Sequence, residues 1–160
     1  MDKFCEFYNK HRDKLFNYLM RMSGDYELAR DLMQESFTRY LEHYRGKTQN
    51  ISLLYTIARN AFFDNQRKRE RERQIALNGE EEDQSRDQEQ IFLVREEYRR
   101  VLSAMHHLGN TERDTLALVI SGDLSYREIA SITGMSEANV KVKVHRARNN
   151  LRKILYKGGE

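Results

Sequence analysis

Apolar positions recur at helical spacing along most of the chain. Phe4, Phe7, Tyr8, Leu15, Leu19 and Met22 mark a first amphipathic helix, which Ser23-Gly24 stops. Asp25 is placed to cap a second helix with a buried stripe of Leu28, Leu32, Met33, Phe37, Tyr40, Leu41 and Tyr44, followed by a polar loop around Arg45-Gly46-Lys47. Leu54, Ile57, Ala58, Ala61 and Phe62 share one face of a third helix, which runs out into the charged segment from Arg67 to Arg73. Phe92 to Met105 predicts a further amphipathic helix. Thr111 is placed to cap a short one through Leu116, Val119 and Ile120, ended by Gly122. No segment alternates with period two for long enough to build a sheet, and there is no internal repeat. The pattern predicts an all-α protein.

The segment from Leu124 to Arg148 is the most informative. Ser125 and Glu128 have the S-x-x-E spacing of a capping box, which sets a helix start at Ser125. Ala130 lies four residues before Gly134, and Val140 six residues after it. A helix-turn-helix needs this arrangement: a small residue where two helices approach, glycine for the positive φ of the turn, and a β-branched residue packing the second helix on the first. Ser136 is placed to cap that second helix, whose inner face reads Val140, Val144, Ala147, Leu151 and Leu155. Its other faces carry Lys141, Lys143, Arg146, Arg148, Arg152, Lys153 and Lys157, with no acid between Glu137 and Glu160. A helix solvated for its own sake usually mixes signs, so an acid-free basic face points to phosphates and a recognition helix in the major groove.

Composition changes this picture in two ways. The 160 residues include one Cys, no Pro and no Trp, and average usage would give about eight prolines. The lack of proline suits helices joined by Gly, Asn and Ser turns, and Cys5 has no partner for an intrachain disulfide. No stretch approaches the ~18 apolar residues of a membrane span, and the charged N-terminal residues lack a secretory core. A soluble, cytoplasmic chain without membrane insertion is expected. The net charge of +3 is small for a nucleic-acid binder, but it is unevenly distributed. Residues 1–75 carry +4, residues 76–94 carry −5 and residues 95–160 carry +4. The acidic run from Asn78 to Glu89 holds no apolar residue, so it predicts a flexible linker between two small helical domains, 1–75 and 95–160.

These motifs, in this order, resemble the extracytoplasmic-function (ECF) sigma factors of the sigma-70 family, small bacterial initiation factors of RNA polymerase. Asp31-Leu-Met-Gln-Glu-Ser-Phe-Thr-Arg-Tyr40 resembles the family's polymerase-binding helix. Leu54-Tyr-Thr-Ile-Ala-Arg-Asn60, with Asp64 and Arg67, resembles the segment that opens and reads the promoter −10 element. Leu124 to Ala130 and Val140 to Arg148 resemble the module that reads the −35 element. Three departures stand out. Leu53 replaces the usual Trp, Leu108-Gly109 replaces a common Leu-Pro, and Asn139-Val-Lys-Val-Lys143 replaces Thr-Val-Lys-Ser-Arg, placing Val142 among the base-facing positions.

The resemblance implies three partners: core RNA polymerase, promoter DNA and an anti-sigma factor. It implies polymerase docking through Leu32, Met33 and Phe37 as apolar contacts and Asp31, Gln34, Glu35 and Arg39 as polar ones, although Phe37 also fits the buried stripe. Asn60 is implied to read a flipped −10 base, since its amide offers both a donor and an acceptor. Arg59, Arg67, Lys68, Arg69 and Arg71 are implied to track the backbone. Tyr55 and Phe63 fit either base stacking or core packing. At −35, Lys141, Val142, His145 and Arg146 are implied to meet the major groove, with Lys143 and Arg148 in the same DNA-binding set and Tyr126 and Arg127 on phosphates. The acidic connector, Glu80 to Glu89, is implied to lie in a polymerase channel built for RNA. Cys5, His11, His43, His106 and His107 lack metal-ligand spacing, so no zinc, no cofactor and no catalysis by the chain itself are expected. Two other readings remain open on the residues: a sigma-like protein that occupies an anti-sigma factor, and a dimeric helix-turn-helix regulator.

Overall fold

A computed structural model describes residues 3–44, 49–77 and 96–157. Seven helices occupy them: α1 (Lys3–Ser23), α2 (Tyr26–Tyr44), α3 (Ile51–Ala76), α4 (Glu96–His106), α5 (Asn110–Ile120), α6 (Tyr126–Thr133) and α7 (Glu137–Lys157). The described residues contain no strand. No helix among them is long and apolar enough to cross a membrane.

Local chemistry explains where the helices begin and end. Gly24 takes φ +67° and donates to the Met20 carbonyl at 2.8 Å, closing α1. Asp25 then accepts from the Leu28 amide at 3.1 Å and starts α2. Asn50 caps α3 by accepting from Leu53, and its own amide donates to the Tyr40 hydroxyl at 2.9 Å, tying the start of α3 to α2. Thr111 was expected to cap α5, but the cap position is Gly109, and Thr111 lies inside the first turn with its carbonyl accepting from Thr115. Two stripe residues also differ from expectation. Leu41 and Ile120 are exposed, because each sits at the margin of its helix's apolar arc. The described part of α4 begins at Glu96, so the expected start at Phe92 lies outside the described residues. So do the loop at Arg45–Lys47 and the acidic linker from Asn78 onward.

α1, α2 and α3 form the first block. Phe7 stacks on Tyr40 with ring centroids 4.9 Å apart, and Phe37 meets the rings of Phe7 and Tyr8 edge-on. α4 to α7 form the second block, in which Leu102, Met105, Leu116, Ile129, Val140, Val144 and Ala147 are buried. The two blocks pack on each other: α1 lies against α4 and α5, and α3 against α6. The buried apolar residues of both blocks form one continuous cluster. Burying each large aliphatic side chain is worth about 1.5–3 kcal/mol, so the shared core favours the packed arrangement. Beyond Asp64, α3 leaves this core and carries Arg67 to Arg73 into solvent.

Candidate nucleic-acid interface

The helix-turn-helix forms as its local signals require. The Ser125 hydroxyl accepts from the Glu128 amide at 3.1 Å, and the Glu128 carboxylate accepts from the Ser125 amide at 2.9 Å, so both halves of the capping box are made. Gly134 takes φ +77° and donates to the Ala130 carbonyl at 2.9 Å. Ser136 accepts from Asn139 at 3.1 Å and opens α7. Val140, Val144 and Ala147 turn inward, and Asn150 donates to Glu112 at 2.9 Å, pinning α7 on α5. The opposite face is therefore fixed in orientation. It exposes Lys141, His145, Arg146 and Arg148, with Val142 46% exposed among them, while Lys143 is half-buried. Asn149 Nδ2 lies 3.2 Å from His145 Nε2 on the same face. Arg127 is exposed at the start of α6, and Tyr126 is partly buried against the core.

In the middle of α3 the surroundings differ. Tyr55 is fully buried, edge-on to Tyr18 at 5.6 Å, with its hydroxyl 3.4 Å from Asp123 of the second block. Burial first, and then the nearby Asp123 charge, push its pKa well above the usual phenol value. Arg59 pairs with Asp114, also of the second block, at 2.7 Å, and lies 4.9 Å over the Phe63 ring. Of the two readings left open for Tyr55, the packed one describes its place here, and Phe63 is half-buried on Phe62 at 5.4 Å. Asn60, one residue beyond Arg59, is exposed. Arg67 pairs with Asp64, Lys68 and Arg71 are exposed, and Arg69 lies 3.6 Å from Asp25.

On α2 the apolar part of the expected docking set is not at the surface. Leu32, Met33 and Phe37 are all buried: Phe37 packs on Phe7 and Tyr8 of α1, and Leu32 and Met33 belong to the same core. Asp31, Gln34, Glu35 and Arg39 are exposed, with Glu35 and Arg39 paired one turn apart.

Reading the sequence missed the carboxylates that join the two blocks. The Asp114 side chain is only 4% exposed and accepts from Tyr18 at 2.8 Å as well as from Arg59. The Asp123 side chain is 5% exposed and meets His11 at 3.0 Å and Lys14 at 2.9 Å. One signal was available: an Asp just before the apolar run Leu116 to Ile120 of α5, followed by a lone Asp before the α6 cap, in a block that is basic overall. Among the described residues there is no group of three or more His, Cys, Asp or Glu side chains placed to hold a metal ion.

A two-block helical protein with a helix-turn-helix, an acid-free basic face and a second basic helix in its other block has the form of a promoter-reading initiation factor. Two family models fit these blocks: sigma-70 region 2 over residues 7–72, and sigma-70 region 4 over residues 98–151. The ECF RNA polymerase sigma factor SigM of Bacillus subtilis is 35% identical over 159 residues, covering 96% of this chain and 95% of that protein. The sigma factor EcfG of Rhodopseudomonas palustris is 32% identical, covering 89% and 79%. Among solved structures, the sigma factor RpoE of Bartonella quintana, in complex with the anti-sigma factor NepR, superposes with a TM-score of 0.78 at 22% identity over 98% of both chains. CnrH, in complex with the cytosolic domain of CnrY, superposes with a TM-score of 0.65 at 18% identity, covering 96% of this chain and 88% of that one. The chain belongs to the ECF sigma factors of RNA polymerase. It is a transcription initiation factor that directs polymerase to promoters, and it is not an enzyme.

Proposed function

We propose that the two blocks divide promoter recognition between duplex and melted DNA. The observation that carries this reading is the contrast in surface chemistry. α7 presents a fixed, acid-free basic face suited to a groove, while α3 places an exposed amide, Asn60, beside a basic helical extension. On α7, Lys141, His145 and Arg146 reach base edges of the −35 element. Val142 contacts a thymine methyl, and Lys143, Arg148, Arg127 and Tyr126 hold phosphates. On α3, Asn60 reads a flipped −10 base through its donor and acceptor, Phe63 stacks, and Arg59, Arg67, Lys68 and Arg69 follow the single strand.

Core polymerase docks on the polar surface of α2, through Asp31, Gln34, Glu35 and Arg39. Leu32, Met33 and Phe37 shape that surface from beneath, and Tyr55 supports α3 in the same way. An anti-sigma factor is the expected regulator, as the structural relative RpoE of Bartonella quintana was solved with such a partner. The cytoplasm, where polymerase and chromosome meet, is the expected compartment. A protein that only occupied an anti-sigma factor would have no use for the exposed basic face of α7.

Run-off transcription with core polymerase and a candidate promoter tests the reading. Promoter-dependent product is expected from the wild-type chain and not from a variant with Asn60→Ala and Arg146→Ala together. No product from folded wild-type chain on any promoter of a genomic library would contradict it.

A further inference from the structure

Both buried carboxylates of the second block find their partners in the first. Asp114, on α5, accepts from Tyr18 of α1 and Arg59 of α3. Asp123, between α5 and α6, meets His11 and Lys14 of α1 and the Tyr55 hydroxyl of α3. A carboxylate removed from water costs several kcal/mol unless it is paired. Packing of the first block is what takes both carboxylates out of water, and the same block supplies the hydrogen bonds and cations that offset that cost. The two carboxylates close on residues that matter: Arg59 gives its cation to Asp114, and a phosphate seeking Arg59 meets that carboxylate instead. The closure is also imperfect. Arg21 Nη1 and the Tyr98 hydroxyl, which face each other across the two blocks, are buried without hydrogen-bond partners, a cost that opening would relieve.

We propose that Asp114 and Asp123 form a self-closing latch that holds the free chain shut and withholds Arg59 from nucleic acid until the blocks separate. The latch rests on the division of labour above for its purpose but not for its existence, because closure is a property of the chain without polymerase or DNA. It leaves the α7 face open, so it acts on the −10 reader, through Arg59, and not on the −35 reader. Closure within one chain also distinguishes the device from inhibition that needs a bound partner.

Small-angle scattering of the free full-length chain tests it. A compact chain of this length has a radius of gyration of about 15 Å, and two separated folded blocks raise it to about 20 Å. The wild-type chain is expected near the lower value, and D114N/D123N, which removes both charges without changing size, near the higher. Lys14→Glu, at a half-exposed position outside the DNA-reading set, sets a carboxylate against Asp123 and is also expected to expand the chain. If the double variant unfolds, its radius approaches about 42 Å with loss of helical circular dichroism, and Lys14→Glu then decides the matter alone. An already extended wild-type chain, or a folded variant as compact as the wild type, would overturn the latch. Run-off transcription by the wild type would be unaffected by that result, so the two readings fail separately.

Discussion

Along α7, Lys141, His145, Arg146 and Arg148 stand in solvent on a helix held only by its own block, whereas Arg59 and Tyr55, in the middle of α3, are covered by the other block. Both helices are basic, so charge alone does not separate them. The difference lies in what neutralises the cations. On α7 no ion pair forms among the described residues, which leaves the field to the DNA phosphates proposed as its partners. On α3 a carboxylate of the same molecule, Asp114, already holds Arg59. The difference suits the DNA forms proposed for them. Duplex DNA is available at all times and is safely sampled, while a melted strand exists only after polymerase has been engaged.

Substitutions on the two helices sharpen this contrast. The largest effect is expected from Asn60→Ala. Losing a read base costs about 1–3 kcal/mol, so promoter opening, followed by permanganate footprinting, should slow roughly 5- to 150-fold. Binding to core polymerase should be unchanged; weakened polymerase binding would move Asn60 out of the DNA-reading set. Arg146→Ala should cost about 1–3 kcal/mol on the cognate −35 duplex and much less on scrambled DNA. An equal loss on every sequence would make Arg146 a phosphate contact and leave α7 with less base-reading power than proposed.

Ser125→Ala removes one half of the capping box and should lower the stability of the second block by about 1 kcal/mol in thermal unfolding. Its −35 affinity should fall with it, while the exposed reader on α3 is spared. The smallest effect concerns His106, whose Nε2 would sit 2.5 Å from a Cβ at Gly24 of the first block. Burial, and then the charges of Arg113 and His107, hold its pKa below the ordinary 6.5. A histidine kept neutral contributes stability that is present above about pH 6.5 and is lost as pH falls through its folded value. This residue therefore disfavours closure in acid. Titration by NMR should show its pKa returning toward 6.5 in D114N/D123N. An unchanged value would mean that its surroundings come entirely from its own block.

How much of this was legible in the sequence depends on the distance over which each signal acts. Ser125, Glu128, Gly134 and Ser136 act within four residues, and the helix-turn-helix they specify is present as expected. Phe37 shows the next level. Its helical register was clear, but whether that face met a partner or the protein's own core depended on where α1 lay. Asp114 and Asp123 were beyond reach. Their partners lie 55 to 112 residues away, across a linker whose composition says nothing about how the blocks meet. Thr111 is the local error: a good capping residue was preferred to Gly109, which begins the helix without a side-chain bond. The net charge of +3 was similarly uninformative until it was divided between two basic blocks and an acidic connector.

The most direct measurement compares the two readers in one free chain. Fluorescence anisotropy would be used to titrate the wild-type protein and D114N/D123N against a −35 duplex and against single-stranded −10 DNA. The duplex should bind both proteins equally, and the single strand should bind the variant at least about tenfold more tightly, the equivalent of one recovered charge-assisted contact of about 1.4 kcal/mol. Equal single-strand affinity for the two proteins would contradict the distinction between an open reader and a held one.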